Sequence, residues 1–205
     1  MRNVTLCYTM AFAMVITCFS TISASAQPKF PCDGALRLTR QYPTQPPANS
    51  YISQIDFSDA DIVISNPGTM AGNRNVNASV QYNGYIWAQD WTNSGTNFTL
   101  ARVASDFTVT NFAVTGASAP PGGTNYNNAG VTKNGIMYIL QNTNAPVNIY
   151  AINLSSGTPV AVAGYPKSVA GLPAGNSVIW GDITVDPSTD RIYAWFHPSA
   201  AITAL

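Results

Sequence analysis

The chain has 205 residues, 9 basic and 9 acidic, the acidic ones all Asp, and only 9% of it is charged. That balance excludes the Lys- and Arg-rich surface that holds a phosphate backbone, so nucleic acid is not an expected partner. A hydrophobic content of 46% excludes a disordered chain, and solubility falls to Asn, Thr, Ser and Gln.

Residues 1–26 follow a secretory design. Arg2 is an early positive charge, the stretch from Met10 to Phe19 is apolar, and small residues end in Ala24-Ser25-Ala26 before Gln27. Cleavage after Ala26 is expected, followed by a single domain over 27–205. The apolar stretch falls short of the roughly 20 residues a membrane span needs, and no later window reaches that length. A lipoprotein site at Cys18 fits less well, because Thr17 stands where a small residue is wanted. Cys7 and Cys18 leave with the leader. Cys32 then stands alone, either as a buried thiol or with a partner beyond Leu205.

From Gly34 onward apolar and polar residues alternate over short runs separated by Gly, Pro, Asn and Asp, and no amphipathic helical window exceeds about two turns. The mature chain therefore reads as all-β. A first unit, Gly34 to Ser65, holds the runs Tyr51 to Asp56 and Asp61 to Ser65 and lacks an opening strand. The next unit reads as four strands: Val76 to Tyr82, Gly84 to Trp91, Phe98 to Ala104 and Thr108 to Val114. Another four follow at Asn128 to Lys133, Gly135 to Gln141, Val147 to Leu154 and Pro159 to Ala163. The last unit opens at Val178 and stops inside its third strand.

Asn83-Gly84-Tyr85-Ile86-Trp87, Asn134-Gly135-Ile136-Met137-Tyr138 and Asp190-Arg191-Ile192-Tyr193-Ala194 recur at a period near 50 residues, each opening a strand after a tight turn. Asn-Gly suits a type I′ hairpin, whose two central residues need positive φ. Asp186 to Asp190 does the same with a longer turn. Four-stranded units at this period fit propeller blades, and about three and a half of them fall short of the four to eight that close a ring. The expectation is a partial β-propeller and the N-terminal fragment of a longer protein, with a sticky face and an open edge. A β-sandwich with one sealed interior is the alternative.

Cys32-Asp33-Gly34, the run Ile152 to Gly157 and Gly181 to Pro187 leading into Arg191-Ile192-Tyr193 resemble an uncharacterised family of bacterial secreted propeller-like domains near the N-termini of large surface proteins. The resemblance implies a fold and a placement outside the cell and assigns no catalytic residue.

Candidate chemistry is sparse. Asp56, Asp59, Asp61, Asp90, Asp182, Asp186 and Asp190 are carboxylates of the kind glycoside cleavage uses, but they sit at strand ends and turns where Asp satisfies local amides. Asp186 and Asp190 flank a tight loop that could offer oxygen ligands to calcium, yet two carboxylates make no metal site. His197 is the single histidine, at a strand end before Pro198, and no nucleophile elbow or phosphate-cradling loop accompanies it. No catalytic residue, metal ligand or cofactor is assigned. Aromatic residues are the better candidates: Tyr85, Trp87 and Trp91 share a strand face by period-two counting, and Trp180 lies near a strand end. Rings on a wet face suit sugar or peptide stacking, whereas blade faces are ordinarily core. Asn77, Asn97 and Asn153 form glycosylation sequons, relevant only in a glycosylating host. The functional expectation is an exported, non-enzymatic module that binds a glycan or a surface protein. The alternative is an extracellular polysaccharide hydrolase or lyase completed by further blades.

Overall fold

The computed structural model describes residues 27–31, 36–41, 50–56, 63–70, 76–90, 98–117, 125–142, 147–170, 178–186 and 188–198. They form four antiparallel sheets and no helix, so among the described residues no helix is long and apolar enough to cross a membrane. The first sheet is β1 (Leu36–Gln41), β2 (Ser50–Asp56) and β3 (Val63–Thr69). The second holds β4 (Val76–Tyr82), β5 (Tyr85–Asp90), β6 (Thr99–Val103) and β7 (Val109–Ala113), in that order. The third runs β8 (Asn125–Val131), β9 (Ile136–Asn142), β10 (Asn148–Asn153) and β11 (Val160–Ala161), with β12 (Lys167–Ser168) also on β10. The last pairs β13 (Val178–Val185) with β14 (Ile192–Pro198).

First strands lie side by side in space, β1 against β4, β4 against β8 and β8 against β13. The sheets thus follow one another like blades along an arc. Because side chains alternate across a strand, each inner sheet feeds two cores. In β5, Ile86 and Ala88 join Ile52 of the first sheet, whereas Trp87 joins Met137, Ile139, Tyr150 and Ile152 of the third. In the third sheet, Leu140 points the other way, to Ile183 of β13. Three separate cores between successive sheets are the signature of stacked blades. A sandwich would have one interior.

The expected strands of the second and third units are present, with ends shifted by a few residues. One correction concerns the first unit. Its opening strand exists: β1 pairs along its whole length with β2, from Leu36 opposite Ile55 to Gln41 opposite Ser50. Arg37 and Arg40 break its apolar signal, and the pairing that fixes it is non-local. The expected turn at Asn83-Gly84 has φ values of 50° and 78°, the left-handed pair a type I′ hairpin requires.

Residues 27–31 are stapled to the second sheet. Phe30 N–H donates to the Gly84 carbonyl at 2.7 Å, and Ser105 N–H donates to the Pro28 carbonyl at 3.1 Å. The Phe30 ring is buried between the first and second sheets. Cys32 and the segment 199–205, where a further strand was expected, lie outside the described residues.

Candidate binding groove

Where the four first strands converge they leave an open groove of ≈ 330 Å³. β1 contributes Leu36 and Arg37, β4 contributes Ser79 to Gln81, β8 contributes Ala129 to Val131, and β13 contributes Thr184 and Val185. The floor is tight because β8 lies flush on β13. A Cβ on Gly130 would meet Val185 Cγ2 at 2.8 Å and the Val185 backbone nitrogen at 2.9 Å, so only glycine lets these strands approach. Val80, Val131 and Val185 make the surface apolar, and Arg37, Ser79, Gln81 and Thr184 supply polar groups at its rim. The Arg37 guanidinium lies over the Phe30 ring, 5.1 Å from its centroid, which ties its position to the stapled segment 27–31. Concave apolar surface with a few polar groups is the usual make-up of a ligand site.

None of the aromatic residues singled out in the sequence lines this groove. Tyr85 and Trp87 do share a face, as period-two counting implies, and that face meets the third sheet. Trp87 is 1% exposed, with its ring 5.5 Å from Phe112, so its surroundings are those of core packing. Arg102 of β6 occupies the space these rings enclose. Its guanidinium carbon is 4.8 Å from the Tyr85 centroid, 4.9 Å from Phe112 and 5.7 Å from Trp87, within reach of cation–π attraction. Gln27 closes the arrangement: Arg102 Nη2 donates to Gln27 Oε1 at 3.0 Å, and Tyr85 Oη donates to the Gln27 carbonyl at 2.9 Å. An aromatic box is present, and the chain's own cation fills it. Trp91 and the side chain of Trp180 lie outside the described residues.

The carboxylates are dispersed. Asp90 ends β5 and is 2% exposed, whereas Asp182 is exposed and its Oδ1 accepts from Ile183 N–H at 2.7 Å. Asp186 Oδ1 accepts from Ser188 N–H at 2.8 Å and from Ser188 Oγ at 2.7 Å, and its Oδ2 accepts from Thr189 Oγ1 at 2.7 Å. The hydroxyls of Ser188 and Thr189 and the Ser188 amide hold its carboxyl down at about 2. Asp190 Oδ1 instead accepts from Lys133 N–H at 3.4 Å. The two acids expected to face a shared ion are each directed to a local partner, and no group of three or more potential metal ligands forms among the described residues. Asp106 is likewise lowered by the Thr108 hydroxyl and amide. His197 lies on β14 opposite Trp180, Asp56 ends β2, and Asp59 and Asp61 fall outside the described residues.

Sequence reading missed the groove because its lining comes from four strands far apart in the chain, each contributing two or three unremarkable residues. The signal that could have located it is the repeat itself: aligned first strands of successive blades must face one another across the arc.

Comparison with the curated proteins and with the solved structures finds no match. A family described as a repeat of unknown function matches residues 42–201, a span that takes in most of β1 to β14 and so agrees with the recurring sheets. By that match the chain belongs to the family of repeats of unknown function designated DUF6923.

Proposed function

We propose that the chain is an exported, non-enzymatic binding module whose groove takes an uncharged, hydroxyl-rich ligand, a glycan segment at a cell surface. The observation that carries this reading is the groove of ≈ 330 Å³ shared by four first strands. Its valine-rich floor suits the apolar face of a sugar ring, and Arg37, Ser79, Gln81 and Thr184 are placed to exchange hydrogen bonds with hydroxyls. Export is supported by the leader-like design of residues 1–26 and by a chain that relies on Asn, Thr and Ser in place of charge.

The test is a glycan array probed with the full chain, followed by calorimetric titration of the best glycan against Gln81→Ala and Thr184→Val. Binding that weakens roughly tenfold or more in either variant, the loss of about one good hydrogen bond, is the expected result. An array without any retained glycan, or variants that bind as the parent does, would overturn the reading.

A further inference from the structure

The sheets follow a rule at their contacts that the two end sheets leave visible. On the second strand of each later sheet, an aromatic residue faces the sheet that comes next. Trp87 of β5 faces the third sheet and belongs to its core, and Tyr138 of β9 packs with Ile183 of the fourth. In β14, the register sets Tyr193 opposite Thr184 and Trp195 opposite Asp182. Directly opposed residues share a face, and Ile183 points into the core with the third sheet. Tyr193 and Trp195 therefore stand on the outward face, where they are 54% and 59% exposed. Trp195 holds the place that Trp87 holds in the second sheet.

At the other end the first sheet shows the complementary side. Ile52 faces the second sheet, and the registers bring Leu36 opposite Ile55 and Ile55 opposite Ile64. This aliphatic row lies on the outward face, with Leu36 46% and Ile64 61% exposed. Inside the molecule the receiving side of a contact is also aliphatic: Met137, Ile139 and Ile152 of the third sheet meet Trp87.

We infer that the aromatic face of the fourth sheet is a docking surface for the aliphatic face of the first sheet of a second copy. The contact repeats between chains the one already made three times within the chain. It is head-to-tail, with different surfaces meeting, so two copies close only if both contacts form at once around a common axis. Two copies of the four sheets make eight, at the upper end of the roughly four to eight that complete a propeller.

The experiment is sedimentation equilibrium of the full chain over a wide concentration range, with Trp195→Asp on one face and Ile64→Asp on the other. Near-ultraviolet circular dichroism checks the fold of each variant. The parent is expected to show a two-chain mass, and each variant alone a loss of self-association by at least tenfold. An equimolar mixture of the two variants retains one intact contact, the wild-type Trp195 face of one chain on the wild-type Ile64 face of the other, and is expected to recover a mixed pair. A parent that stays monomeric would overturn the inference and leave these faces to another repeat or an unrelated protein. A growing ladder of polymers would overturn it by showing that the ring does not close. A dimer broken by Trp195→Asp and indifferent to Ile64→Asp would do so by showing like faces meeting. Should either variant fail to fold, the mass of the parent alone still decides between a closed pair and the rest.

Discussion

At the scale of single residues, the acids of this chain are structural fasteners. Asp186 is the clearest case. Its carboxylate collects three hydrogen bonds within the turn that leads to β14, and each favours the charged form. The ordinary value of 3.8 falls to about 2 in the fold. A depressed carboxyl contributes stability that is fully present above its unfolded value and is lost as pH falls through its folded one. The turn should therefore hold through pH 4 and loosen as the pH drops toward 2. Carboxyl carbon shifts of Asp186 followed by NMR are expected to titrate at about 2. Ser188→Ala, which removes one hydroxyl donor, is expected to move that midpoint upward. An unshifted midpoint in the parent would contradict the bonding described.

At the scale of elements, Arg102 links β6 to β5, to β7 and to the stapled residues 27–31, because its one cation touches Tyr85, Trp87 and Phe112 while bonding Gln27. Removing it with Arg102→Ala should cost about 2–3 kcal/mol, from the cation–π contacts and one charged hydrogen bond together. Arg102→Lys should recover only part of this, since an ammonium lacks the flat fork that fits between rings. Urea unfolding midpoints would measure both, and a Lys variant as stable as the parent would show that charge alone matters there.

Elements also mark what the sequence could disclose. β4, β5 and β9 were legible because Asn-Gly turns and clean alternation are local signals. β1 was not, since Arg37 and Arg40 interrupt its apolar pattern and its identity as a strand comes from pairing with β2. The shared face of Tyr85 and Trp87 was legible too, but whether it met water or protein depended on which sheet packed over it. For the groove, no single strand carries enough lining residues to announce a site.

Across the whole molecule, stability should pass between nearest neighbours. Three separate cores join four sheets, and each inner sheet contributes alternate residues of the same strands to two of those cores. Stacked units of this kind behave as a chain of intrinsic and interface terms, so damage to one contact weakens the sheets on either side and leaves distant ones protected. Ile139 lies fully buried in the core between the second and third sheets. Ile139→Ala should cost about 2–4 kcal/mol. Hydrogen exchange should then quicken in β5, β6, β9 and β10, while the amides of β1 and β2, held by their own pairing and by the Ile52 core, keep their protection. A sandwich with one interior would respond differently, because its single core would transmit the loss to every strand. Uniform loss of protection across β1 to β14 would thus argue against sheets stacked in series, whereas a graded loss centred on the second and third sheets would place the molecule among proteins that fold contact by contact.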